Sequence, residues 1–63
     1  IRYLREQQEL RCNQEGTLHV MNVNGVVVLT GDAVVSTQSL PTGVYIATFM
    51  TKDGKQSQLK FIK

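Results

Sequence analysis

Tryptophan is absent from this sequence, and cysteine, proline and histidine occur once each. A lone cysteine, Cys12, excludes an internal disulfide, so whatever core forms must hold without a covalent staple; its expected role is that of a small buried hydrophobe on a strand. The lone histidine, His19, has no Cys, Asp or Glu at a ligand spacing, and no Ser–His–carboxylate constellation can be built around it. The glycines are scattered singly at turn-like positions, so no phosphate-cradling loop can be drawn. No stretch is apolar for long enough to cross a membrane as a helix, and the opening residues lack the charged and apolar regions of a signal peptide. A net charge of +2 is too small to argue for nucleic acid as a partner.

Size narrows the reading further. A chain of 63 residues has room for one domain, and such a domain buries only about 60% of the surface its unfolded chain exposes. Its folding margin is on the order of a few kcal/mol, which leaves little for a cleft with supporting walls. The carboxylates Glu6, Glu9, Glu15, Asp32 and Asp53 all fall in polar or turn contexts and read as solvated surface. The expectation is a binding, targeting or structural module with no catalytic residue, no metal and no cofactor. The sequence begins at Ile1 rather than Met, which suggests a piece of a longer protein.

What is present is a succession of short β-prone runs. Residues 1–5 and 8–13 read as two short strands around a polar bend, although Arg5 to Leu10 contains good helix formers. Thr17 to Val23 alternates, with Leu18 and Val20 on one side and Thr17, His19, Met21 and Val23 on the other. Asn24-Gly25 then predicts a hairpin with positive φ at both central residues. The return strand, residues 26–30, is a continuous apolar run that suggests burial on both faces. Gly31-Asp32 turns the chain, residues 33–37 form a short strand, and Gln38-Ser39 leads to the corner Leu40-Pro41-Thr42-Gly43. Pro41 fixes φ and has no N–H to give, and Gly43 can supply a positive φ for a turn with proline at its second position. Leu40 can plug the core at that bend.

The corner launches the best strand of the chain, residues 44–51. Lys52-Asp53-Gly54-Lys55 predicts a second two-residue hairpin, and residues 56–63 close the domain with Leu59 and Phe61 on one side. Six or seven strands with turn signals every eight to twelve residues and no helix predict an all-β fold, a small antiparallel immunoglobulin-like sandwich.

Leu40-Pro41-Thr42-Gly43 is one residue short of the Leu-Pro-X-Thr-Gly signal of Gram-positive cell walls, and the apolar span and basic tail of that signal do not follow it. A different resemblance covers about three quarters of the chain, from Gly16 to Lys63. Asn24-Gly25 with Val27-Val28, then Ser39-Leu40-Pro41-Thr42-Gly43-Val44-Tyr45-Ile46, then Asp53-Gly54-Lys55, then Lys60-Phe61-Ile62-Lys63 at the end of the sequence resemble, in order and spacing, the type A C-terminal sorting domains of type IX secretion. The matching positions are Gly25, Leu40, Pro41, Gly43, Tyr45, Gly54, Lys60 and Lys63.

The resemblance implies a non-catalytic signal that directs an N-terminally attached cargo across the outer membrane of a Gram-negative bacterium. The implied partners are the outer-membrane translocon and a sortase-like protease that usually removes the signal. Its implied locations are the periplasm in transit, then the cell surface or the medium. The Asn-Pro segment with which such signals usually open is absent, so the whole of 1–63 is expected to be one sorting domain shortened at its N-terminal end, with residues 1–15 unassigned.

Residue chemistry adds a physical expectation. The last strand should form a sheet edge, where unpaired N–H and C=O groups invite a receptor strand or a second copy of the chain, and exposed Lys60 and Lys63 should select an acidic partner. The alternative is an adhesive or carbohydrate-binding sandwich retained on a surface protein. That would call for exposed aromatics, whereas Tyr45, Phe49 and Phe61 fit core positions.

Overall fold

Alternating apolar residues and well-placed turn formers lay down seven strands and no helix in the computed structural model, which describes residues 1–12 and 14–63. They are β1 (Arg2–Leu4), β2 (Glu9–Arg11), β3 (Gly16–Met21), β4 (Val27–Gly31), β5 (Val34–Ser36), β6 (Val44–Thr51) and β7 (Gln56–Ile62). All pairings are antiparallel. They form a three-stranded sheet in the order β1-β2-β5 and a four-stranded sheet in the order β4-β3-β6-β7. The fold is therefore a small all-β sandwich. The expected end of the second strand, residue 13, lies outside the described residues, and Cys12 sits half-buried just past β2 rather than on a strand, packed against the core.

The core is what the period of two places between the sheets. Leu18 and Val20 of β3, Tyr45, Ala47 and Phe49 of β6 and Phe61 of β7 face Leu10 of β2 and Val35 of β5. Leu40 joins them from the loop before β6, filling the bend as expected. Tyr3 half-covers the same cluster, its ring 4.6 Å from that of Phe61, which in turn stacks 5.7 Å from Tyr45. The aromatics are thus spent on the interior and form no exposed platform.

One polar side chain is wholly buried among them. The hydroxyl of Thr37 donates to the carbonyl of Gln8 at 2.8 Å, and its backbone N–H donates to the same oxygen at 2.7 Å. This arrangement holds Gln8 at φ 53°, a left-handed conformation that costs a side chain about 1–2 kcal/mol. Gln8→Gly should relieve it while keeping the carbonyl in place. A net gain of about 0.5 kcal/mol, after the greater entropy glycine loses, would raise the melting temperature by about 2–4 °C; an unchanged or lower value would show that the conformation carries no strain.

Both hairpins differ from the sequence expectation in the same way. Gly25 (φ 80°) and Gly54 (φ 90°) are left-handed, but Asn24 and Asp53 are not. In each loop the glycine N–H bonds back three residues, to Asn22 at 3.0 Å and to Thr51 at 3.1 Å, and the ladder resumes one residue later. These are three-residue loops, a type I turn followed by a left-handed glycine, and the glycine restores the strand twist that a type I turn alone would splay. A polar side chain braces each loop at its first residue. Asn22 Oδ1 accepts the N–H groups of Asn24 and Val26, and Thr51 Oγ1 accepts that of Lys55 while donating to Asp53. The Thr51 hydroxyl holds the Asp53 carboxyl below its ordinary value of 3.8, helped by the Lys55 backbone.

The apolar run at 26–30 is not buried on both faces. Val27 is 48% exposed and Val28 37%. β4 is an edge of the larger sheet, its outer face has no second layer, and a register shift opposite Val20 and Met21 interrupts the ladder there. A run of valines satisfies an edge with a bulge as well as a buried strand, so periodicity could not separate the two.

Candidate functional site

The motif positions divide into one cluster and three outliers. Gly43 and Lys63 exchange both backbone hydrogen bonds, 3.2 Å and 2.8 Å, extending the β6–β7 ladder one pair beyond its assigned ends. Tyr45 turns its phenol back to donate to the carbonyl of Pro41 at 2.6 Å, the device known as a tyrosine corner in sandwich folds. The Lys63 ammonium donates to the carbonyls of Gln38, at 3.1 Å, and of Leu40. Leu40, Pro41, Gly43, Tyr45 and Lys63 therefore form one hydrogen-bonded unit. Lys60 lies beside it on the outer face of the sheet, opposite Ile46. Gly25 is at the same end in its own hairpin, beyond the Met21–Ile46 pair. Gly54 lies in the hairpin that joins β6 to β7 at the opposite end.

Three expectations for this site need correction. Gly43 does not adopt a positive φ. The turn is also three residues earlier than predicted: Leu40 N–H bonds Thr37 C=O at 3.0 Å, whereas Gly43 N–H is committed to Lys63. Pro41 follows that turn and needs no partner for its missing N–H, and the bend is held from outside by the Tyr45 hydroxyl and the Lys63 ammonium. Lys63 is accordingly half-buried and bonded, not a freely exposed cation, while Lys60 is exposed. Sequence patterning carried no sign of the Thr37–Gln8 or Lys63–Leu40 ties, because both join residues far apart in the chain.

The electrostatics are lopsided. None of β3, β4, β6 or β7 carries an aspartate or glutamate. The acids Glu15, Asp32 and Asp53 lie in loops at the end away from the corner, where Lys52 pairs with Glu15 at 2.9 Å across solvent. The outer face of the larger sheet is instead apolar toward the corner. Val23, Val27 and Ile62 are exposed there, and a polar row of Thr30, His19, Thr48 and Gln58 crosses the sheet further down. β7 forms one edge of this sheet, opposite β4, as expected for the last strand.

No family model matches the chain, and neither the curated proteins nor the solved structures contain a match to it.

Proposed function

We propose that this domain is a non-catalytic C-terminal sorting signal, read by the outer-membrane machinery of type IX secretion while attached to a cargo. The observation that carries the reading is the tie between the corner and the last strand. Motif elements some 20 residues apart in sequence, Leu40-Pro41-x-Gly43-x-Tyr45 and Lys60-x-x-Lys63, share backbone pairs and an ammonium–carbonyl bond, and the Tyr45 phenol braces the first of them on the Pro41 carbonyl. A folded label needs its recognition elements presented together in a fixed geometry, and these bonds supply that at little cost in side-chain freedom. A translocon and a sortase-like protease would be the partners, with the periplasm and then the cell surface or medium as locations. The retained adhesive module has less to stand on, because Tyr45, Phe49 and Phe61 are buried and Tyr3 lies against Phe61.

The test is a fusion. A periplasm-targeted fluorescent reporter carrying residues 1–63 at its C-terminus should reach the surface or medium of a type IX-competent strain and remain periplasmic in a strain lacking the translocon. Equal delivery of the reporter without the domain would remove the proposal.

A further inference from the structure

The edge of β7 can be read group by group. Gly43 and Lys63 exchange both hydrogen bonds, and at the other end of the ladder Thr51 N–H donates to Lys55 C=O at 2.8 Å while Lys55 N–H turns to Thr51 Oγ1 at 3.0 Å. Antiparallel pairs alternate between bonded and non-bonded, so Phe61, Leu59 and Ser57 spend their backbone groups on Tyr45, Ala47 and Phe49. The N–H and C=O groups of Gln56, Gln58, Lys60 and Ile62 point out of the sheet. Of these, the carbonyl of Ile62 is approached at 3.4 Å by the Arg5 guanidinium. What stays open is a straight stretch from Gln56 to Lys60 with three outward N–H and three outward C=O groups.

No other edge of the described residues offers as much. β1 and β5 are three residues long, and the bulge beside Val27 breaks β4. The side chains along the open stretch are exposed Lys60 and Gln58 on the outer face and half-buried Leu59 between them on the inner face. Lys60 has no carboxylate on any strand of its sheet.

Resting on the reading of this domain as a recognised label, we propose that β7 accepts one antiparallel strand from an acidic–apolar partner segment. That strand carries a carboxylate opposite Lys60, an apolar residue opposite Leu59 and a hydroxyl or amide opposite Gln58. Backbone pairing supplies the binding, and the alternate side chains supply the choice. Arg5 sets the limit of the strand by occupying the Ile62 carbonyl. A second copy of the chain fits less well, because antiparallel self-pairing about Gln58 sets Lys60 opposite Gln56 and leaves the charge unanswered.

The experiment is a titration of the chain with a fluorescein-labelled peptide, Ser-Glu-Val-Thr-Val-Thr-Ser, followed by amide hydrogen exchange. Binding should slow exchange at Gln56, Gln58 and Lys60. Replacing the peptide glutamate by lysine should weaken binding about fivefold, the size of a moderately screened charge pair. Lys60→Glu should reverse that preference. Gln58→Pro removes an outward N–H without touching the bonds to β6, so it should abolish binding while leaving the melting curve in place. No binding at millimolar peptide, binding without protection of those three amides, or protection produced by self-association alone would each overturn the proposal. A chain that binds the peptide as described but fails to export the reporter would keep the strand site and discard the sorting role; export without peptide binding would do the reverse.

Discussion

Gly16→Ala should unfold much of the protein at room temperature, whereas Gly43→Ala should leave it nearly unchanged. Gly16 opens β3 opposite Thr51, and a Cβ built there would stand 2.7 Å from Phe49 Cζ and 3.0 Å from the Met50 carbonyl carbon, closer still to its oxygen. Neither neighbour can give way cheaply. Phe49 is only 2% exposed at the centre of the core, and Met50 belongs to a strand paired on both sides. Overpacking costs about 1–3 kcal/mol where side chains can shift, and more where backbone must. A single uncrosslinked core of this size has about 3–5 kcal/mol in total. At Gly43 the nearest atom to a new Cβ is Tyr45 Cε2, 3.9 Å away, and the backbone is not left-handed. The expected change there is within about 0.5 kcal/mol. Circular-dichroism melts of the two variants decide it; equal melting temperatures would show that β3 can retreat from β6 without loss.

That contrast marks where sequence reading succeeded and where it stopped. Alternation found the strands because a period of two survives whatever the strand packs against, so Tyr45, Phe49 and Phe61 could be given core positions and Leu18 and Val20 set together on one side of their strand, the side that proves to be the buried one. The glycines at 25 and 54 could be placed in hairpins because a local turn needs a positive φ; the loop length was misjudged, and with it the conformation of the residue before each glycine. Gly43 invited the same conformational argument, but a residue whose N–H and C=O are both claimed by Lys63 is held extended by its partner. Gly16 gave no local sign at all. Its requirement comes from β6 crossing close by, some 30 residues later in the sequence. The valines at 26–28 failed for a related reason: burial is decided by which strand or layer lies beyond, and a run of apolar residues does not state it.

The two lysines of the last strand should separate in the same physical way. Lys63→Met keeps the aliphatic stem and removes the ammonium that donates to the Gln38 and Leu40 carbonyls. Those carbonyls belong to the turn that seats Leu40 in the core. Hydrogen bonds from charged groups contribute about 1.5–3 kcal/mol when buried and less with solvent at hand, so a loss of about 1–2 kcal/mol is expected. It should appear as a lower urea midpoint with an unchanged slope. Lys60→Met removes an exposed charge with no partner on its sheet, and the expected change is within about 0.5 kcal/mol. Export of the reporter should then fail in two distinguishable ways. The Lys63 variant should regain delivery at lower growth temperature, where its fold recovers, while the Lys60 variant should stay folded and remain poorly delivered at every temperature. Urea midpoints that coincide for the two variants would mean that the Lys63 ammonium does not hold the corner. Normal delivery of the folded Lys60 variant would leave the open backbone of β7, without its charge, as the recognised feature.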